Sequence, residues 1–117
     1  MVLAVLDDLM FSSKIKTTAK GLGVALSFAR SSQAALDEMR KSAPALVIFD
    51  LNNPRTDPIG TVAAMRADPA LATIPTIGFV SHVDTSTIEA ARSAGIGQVL
   101  ARSTFTAGLA DILSAHK

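Results

Sequence analysis

A chain of 117 residues has room for one hydrophobic core and not for two, and with 49% hydrophobic against 18% charged residues it is no disordered segment. Lys and Arg number 11 and Asp and Glu 10, a formal charge of +1 that gives no basic footprint for nucleic acid or an anionic membrane. The absence of cysteine excludes a disulfide framework and a thiolate metal site, and no apolar run is long enough to span a bilayer, so one cytoplasmic domain over residues 1–117 is expected.

In chain order, the first element is "VLAVL" (2–6), an aliphatic run that halts on Asp7 and Asp8. "SSKIKTTAKGLG" (12–23) reads as a helix closed by Gly23, a good C-terminal cap. "VALSFA" (24–29) is a weaker strand, and "SSQAALDEMRKSAP" (31–44) opens on Ser and stops before Pro44, as a helix does. "ALVIF" (45–49) is a second buried strand and stops on Asp50. "IGTVAAMRADPALATIP" (59–75) has helical spacing until Pro69 and Pro75 end it. "TIGFV" (76–80) and "GQVLA" (97–101) complete the strands. Between them "TSTIEAARSAG" (85–95) carries a capping box, Ser86 with Glu89 three residues on, and Gly95 as its stop. "FTAGLADILSAHK" (105–117) suits a final helix, with Leu109, Ile112 and Leu113 on one side.

Continuous aliphatic strands without polar alternation are buried on both faces, and strictly alternating strands and helices imply a parallel sheet with helices on both sides. The expected fold is therefore α/β, flavodoxin-like, a doubly wound five-stranded parallel sheet of order 2-1-3-4-5. In that order strands one and three are neighbours where the winding reverses, and ligands sit outside the carboxyl ends of the strands there. Asp7 and Asp8, Asp50, Ser81 and Arg102 each stand at the carboxyl end of a strand, so all are expected on one rim.

Carboxylates brought together either rise in pKa or take a hard cation. Mg²⁺ fits, because it binds oxygen ligands and is commonly held by one or two carboxylates with waters and phosphate oxygens. Asp8 and Asp50 are the expected direct ligands, with Asp7 through water and the backbone carbonyl of Asn52 within reach. A phosphoryl group on Asp50 would complete the shell, with the Ser81 hydroxyl as donor and the Arg102 guanidinium as countercharge.

Over nearly its full length the chain resembles the receiver domain of two-component response regulators. The resemblance rests on the acid pair Asp7-Asp8, "VIFDLNNP" (47–54), "RADPALATIP" (66–75), Ser81 after "GFV", and "AGIGQVLARSTF" (94–105). It implies Mg²⁺-dependent phosphoryl transfer to Asp50 from a phosphohistidine of a sensor histidine kinase or phosphotransfer protein, in a signalling switch and not a turnover enzyme. It also implies that Asn52, His82 and Val83 flank access to the acid. Readout would pass to a downstream protein through the face of helix four, strand five and helix five, where Val99 holds the switch position. Direct contact with nucleic acid or membrane is not expected.

Departures from the family pattern are specific. Arg102 stands where the family has Lys, and a planar fork does not replace a point charge. Ser103 replaces a Pro that usually follows a cis bond, Val99 replaces a common aromatic, His82 a small residue, and Pro58 a frequent Gly. These motivate an alternative, a pseudo-receiver that binds a protein partner irrespective of phosphorylation. For Arg102 two placements stay open: countercharge to a phosphoryl group, or direct pairing with Asp50. Asp7 and Asp8 could instead cap the first helix, and Asn53 and Arg55 read as solvated loop residues close enough to touch a phosphate. A flavin site on the same topology is disfavoured, since two acids open the loop that would cradle the cofactor phosphate.

Overall fold

Valine, isoleucine, leucine and phenylalanine crowd the three inner strands, which are buried along their whole length: β1 (Val2–Val5), β3 (Leu46–Asp50) and β4 (Thr76–Val80). The flanking strands β2 (Leu26–Ala29) and β5 (Gln98–Ala101) are only partly covered, as edge strands are. In this computed structural model, which describes residues 1–81 and 84–116, the five strands form one parallel sheet of order β2-β1-β3-β4-β5. The expected fold class and strand order are borne out.

Among the described residues six α-helices cover the sheet: α1 (Leu9–Leu22), α2 (Ser32–Ser42), α3 (Pro58–Ala67), α4 (Thr85–Ala94), α5 (Arg102–Ala107) and α6 (Leu109–Ala115). Successive strand side chains point to opposite faces, which gives two cores. Leu3, Val5, Val47 and Phe49 meet Met39 of α2, Val62 and Met65 of α3 and Ala91 of α4. Ala4, Ile48, Ile77 and Phe79 meet Phe11 and Ile15 of α1, Phe105 of α5, and Leu109 and Leu113 of α6. Among the described residues no helix is long and apolar enough to cross a membrane.

Three boundaries differ from the sequence reading. Helix α1 begins at Leu9 and not at Ser12, because the Asp8 side chain accepts the Phe11 N–H at 3.0 Å and starts the helix earlier. The cap of α4 is Asp84 and not the Ser86–Glu89 box: its carboxylate takes the backbone N–H groups and hydroxyls of Ser86 and Thr87. The last helix is broken at Gly108, and its first piece starts directly on Arg102 with no intervening loop. Gly23 closes α1 as expected, at φ 69°, with its N–H on the carbonyls of Ala19 and Lys20.

Register positions the rim. Val5 pairs with Phe49 and Asp50 with Phe79, so β1 hands over to Asp7 beside the end of β3. Val80 pairs with Ala101, which leaves Ser81 and Arg102 side by side one residue beyond. Gly78 keeps the centre of β4 bare: a Cβ there would lie 2.7 Å from Leu51 Cδ1 and 2.6 Å from Ile96 Cδ1. Leu51, the residue after Asp50, packs into that space and anchors the start of the loop.

Candidate functional site

The carboxyl ends of β1 and β3 open into a cleft of about 460 Å³ lined by Asp7, Asp8, Asp50, Asn52, Asn53 and Arg55. Asp50 is 8% exposed and its Oδ1 accepts the Asn52 N–H at 3.0 Å. Burial is the main cause that pushes its carboxyl above the ordinary carboxylate range. The Asn52 N–H and the Arg102 charge oppose that rise, and the neighbouring Asp8 and Asp7 add to it.

Asp8 carries two duties. One oxygen caps α1, and the other lies 3.5 Å from Arg102 Nη2, so the capping role and the rim role coexist in one carboxylate. Arg102 also donates from Nη1 to Ser81 Oγ at 3.3 Å, and its guanidinium lies 4.2 Å over the Phe11 ring. Beneath that ring Phe79 follows at 4.9 Å, with Phe105 stacked on Phe79 at 4.8 Å. Direct pairing of Arg102 with Asp50, one of the two placements left open, is not what forms: the nearer anion for the fork is Asp8. The Arg102–Ser103 bond is trans, as is every peptide bond among the described residues.

Asp7 is held from the β3–α3 loop. Asn53 Nδ2 donates to Asp7 Oδ1, and Arg55 Nη1 lies 3.3 Å from Asp7 Oδ2. Asn53 is therefore no solvated loop residue; it is 7% exposed, and its Oδ1 accepts the Arg55 N–H at 3.1 Å. Sequence reasoning missed this bridge, and the one available signal was Asn ahead of Pro54, a pairing that favours a turn with a side-chain cap. Asn52 reaches the other way: its side-chain Oδ1 accepts the Ser81 N–H at 2.6 Å and ties the β3 loop to the end of β4. Val99 lies in the middle of β5, half-buried against the core under α4. His82 and Val83 lie outside the described residues.

Three carboxylates and a backbone carbonyl are hard oxygen donors of the kind Mg²⁺ takes, so the donor set fits the cation in chemistry. Among the described residues, however, no three His, Cys, Asp or Glu side chains converge at metal-ligand spacing. The reason is visible in the pairing: Asp7 turns to Asn53 and Arg55, and Asp8 to Phe11 N–H and Arg102. On the far side of Arg102 lies a wider, mostly apolar hollow of about 680 Å³ between α1 and α5, beside the exposed Met10.

The same architecture recurs in solved structures. The chain matches a response regulator from Hahella chejuensis at a TM-score of 0.85 and 21% identity, covering 97% of this chain and 91% of that one. It matches the chemotaxis response regulator CheY4 of Vibrio cholerae at 0.83 and 20%, covering 99% and 97%. A Mn²⁺-bound form of the response regulator Rcp1 matches at 0.80 and 20%, covering 97% and 91%. The chain has the receiver fold. No family model and no curated protein sequence matches it, so the likeness is one of fold. Within the receiver fold, the expected residues Asp7, Asp8, Asp50, Asn52, Ser81 and Arg102 all gather at one rim, joined by Asn53 and Arg55.

Proposed function

We propose that the chain is a phosphoaccepting receiver, a cytoplasmic switch and not a turnover enzyme, charged on Asp50 by a sensor histidine kinase or phosphotransfer protein. The observation that carries this reading is a nearly buried carboxylate at the end of a central strand, with one oxygen fixed by the Asn52 N–H and its pKa raised by burial. Asp50 lines the cleft, and its second oxygen is the nucleophile. That oxygen forms the bond to phosphorus while the phosphorus–nitrogen bond of the donor breaks and the imidazole leaves. Ser81 and Arg102, 3.3 Å apart, stand ready to donate to the phosphoryl oxygens. Asp8, Asp50 and the Asn52 carbonyl would hold Mg²⁺, with Asp7 acting through water; bound there, the cation neutralises charge on the phosphoryl oxygens. Output passes to a protein partner through the face of α4, β5 and the last helix, here α5 with α6, with no direct contact to nucleic acid or membrane.

The test is intact-mass measurement after incubation with a small phosphodonor and Mg²⁺. One phosphoryl group is expected, absent in Asp50→Ala and absent when the cation is chelated; no gain under conditions where a control receiver reacts would refute the reading.

A second reading is favoured by the two arginine–aspartate pairs, which already neutralise Asp7 and Asp8. In it the chain is a pseudo-receiver that binds its partner whatever the state of Asp50. Partner binding unchanged in Asp50→Ala supports it, and a large loss excludes it.

A further inference from the structure

Arg55 and Arg102 both face acids of the rim, but they are held differently. Arg102 has three anchors, namely Asp8 at 3.5 Å, Ser81 Oγ at 3.3 Å and the Phe11 ring at 4.2 Å, and its side chain is 38% exposed. The Arg55 side chain meets one partner among the described residues, Asp7 at 3.3 Å, and is 81% exposed. Its base is nevertheless fixed. The Arg55 N–H is bonded to the buried Asn53, which itself donates to Asp7, and Pro54 opens the short 3-10 turn Pro54–Thr56 that carries it. A fixed pivot with a free, charged head is an arm that reaches one carboxylate and can leave it.

Charge gives the arm its consequence. With Asp7, Asp8 and Asp50 ionised and both arginines in place, the cleft carries three negative charges against two positive. A dication entering that set would leave it positive, and release of one guanidinium to water restores neutrality. Arg55 is the one to go, because an exposed single-contact ion pair is weak and its release returns rotamer freedom to a long side chain.

On the receiver reading above, we propose that Arg55 is an internal competitor for the divalent cation: it occupies Asp7 when no metal is bound and leaves it when the metal enters. Metal affinity is thereby set by a residue that ligates nothing. The pair belongs to the class worth at most about 1 kcal/mol, so removing it tightens binding by about two- to fivefold at low salt, less as salt screens the pair.

The experiment titrates the whole chain with Mn²⁺, followed by its paramagnetic signal, in the native chain, Arg55→Ala, Asp7→Asn and the double variant. Competition at Asp7 requires a gain from Arg55→Ala in the native background and its disappearance in Asp7→Asn. Equal gains in both backgrounds would show a diffuse field effect and overturn the proposal, as would no gain in a native chain that binds Mn²⁺. No binding in any chain removes the proposal together with the cation of the receiver reading, and the native titration alone reveals that case. Should Asp7→Asn bind no Mn²⁺, the Arg55 Nε–Hε resonance decides. Movement with added Mg²⁺ over the same range as the Asn52 amide supports release, and a stationary signal overturns it.

Discussion

Arginine does opposite work at the two ends of the sheet. At the amino-terminal rim, Arg66 of α3 donates to Gly95 O at 2.8 Å, Ala72 O at 2.8 Å, Ile74 O at 3.0 Å and Thr76 Oγ1 at 3.0 Å. Among the described residues it meets no carboxylate there, and all three of its side-chain nitrogens are engaged, by three backbone carbonyls and the Thr76 hydroxyl, so it pins the loop before β4 to the loop before β5. At the carboxyl rim, Arg55 and Arg102 meet carboxylates at 3.3 and 3.5 Å from partly exposed positions. The contrast separates a guanidinium that builds structure from guanidinia that balance charge: fixed, convergent acceptors make the first, mobile anions within reach of water the second.

The largest effect should come from breaking the structural side. Arg66→Ala takes a charged donor from three backbone carbonyls and from the Thr76 hydroxyl, which keeps the Gly97 N–H, and is expected to cost about 2–4 kcal/mol in chemical denaturation. A loss no greater than that of a surface substitution would erase the contrast. On the charged side, Asp50→Asn is expected to stabilise the metal-free protein at neutral pH. Because the folded carboxyl titrates above its unfolded value, the folded state binds the extra proton in between, so native stability falls as pH rises through that window and stays low above it. The advantage of Asn should therefore be full near pH 7 and vanish as pH drops below the ordinary carboxyl range; denaturation curves for both chains across that range test it, and an advantage independent of pH would contradict it. The smallest effect belongs to Arg102→Ala, which removes an exposed ion pair and a cation–π contact and should cost about 1 kcal/mol or less. A loss equal to that of Arg66→Ala would make the two rims alike.

Much of this arrangement could be read from residue patterns, and the parts that could not share a cause. Runs such as "ALVIF" reveal buried strands because burial on both faces leaves no polar alternation, and strict alternation of strands and helices then leaves few topologies. The acids at the strand ends follow from that topology. What stayed hidden were side-chain choices between several good partners. Asp84 outcompeted the Ser86–Glu89 box because its carboxylate satisfies two N–H groups and two hydroxyls at once. Arg102 chose Asp8, where it also gains Ser81 and the Phe11 face, over an Asp50 already bonded to Asn52. Asn53 and Arg55 have no apolar periodicity to mark them, and the Asn53–Asp7 bond joins residues 46 positions apart in the chain, so no local pattern announces it.

The phenylalanine stack beneath Arg102 has a practical consequence. The chain has no tryptophan and no tyrosine, so its near-ultraviolet circular dichroism arises from five phenylalanines alone. Three of these, Phe11, Phe79 and Phe105, form the stack on which the rim guanidinium rests. The fine-structured bands of those rings are an intrinsic optical gauge of whatever happens at the acids above them, with no label added and no other chromophore to obscure it.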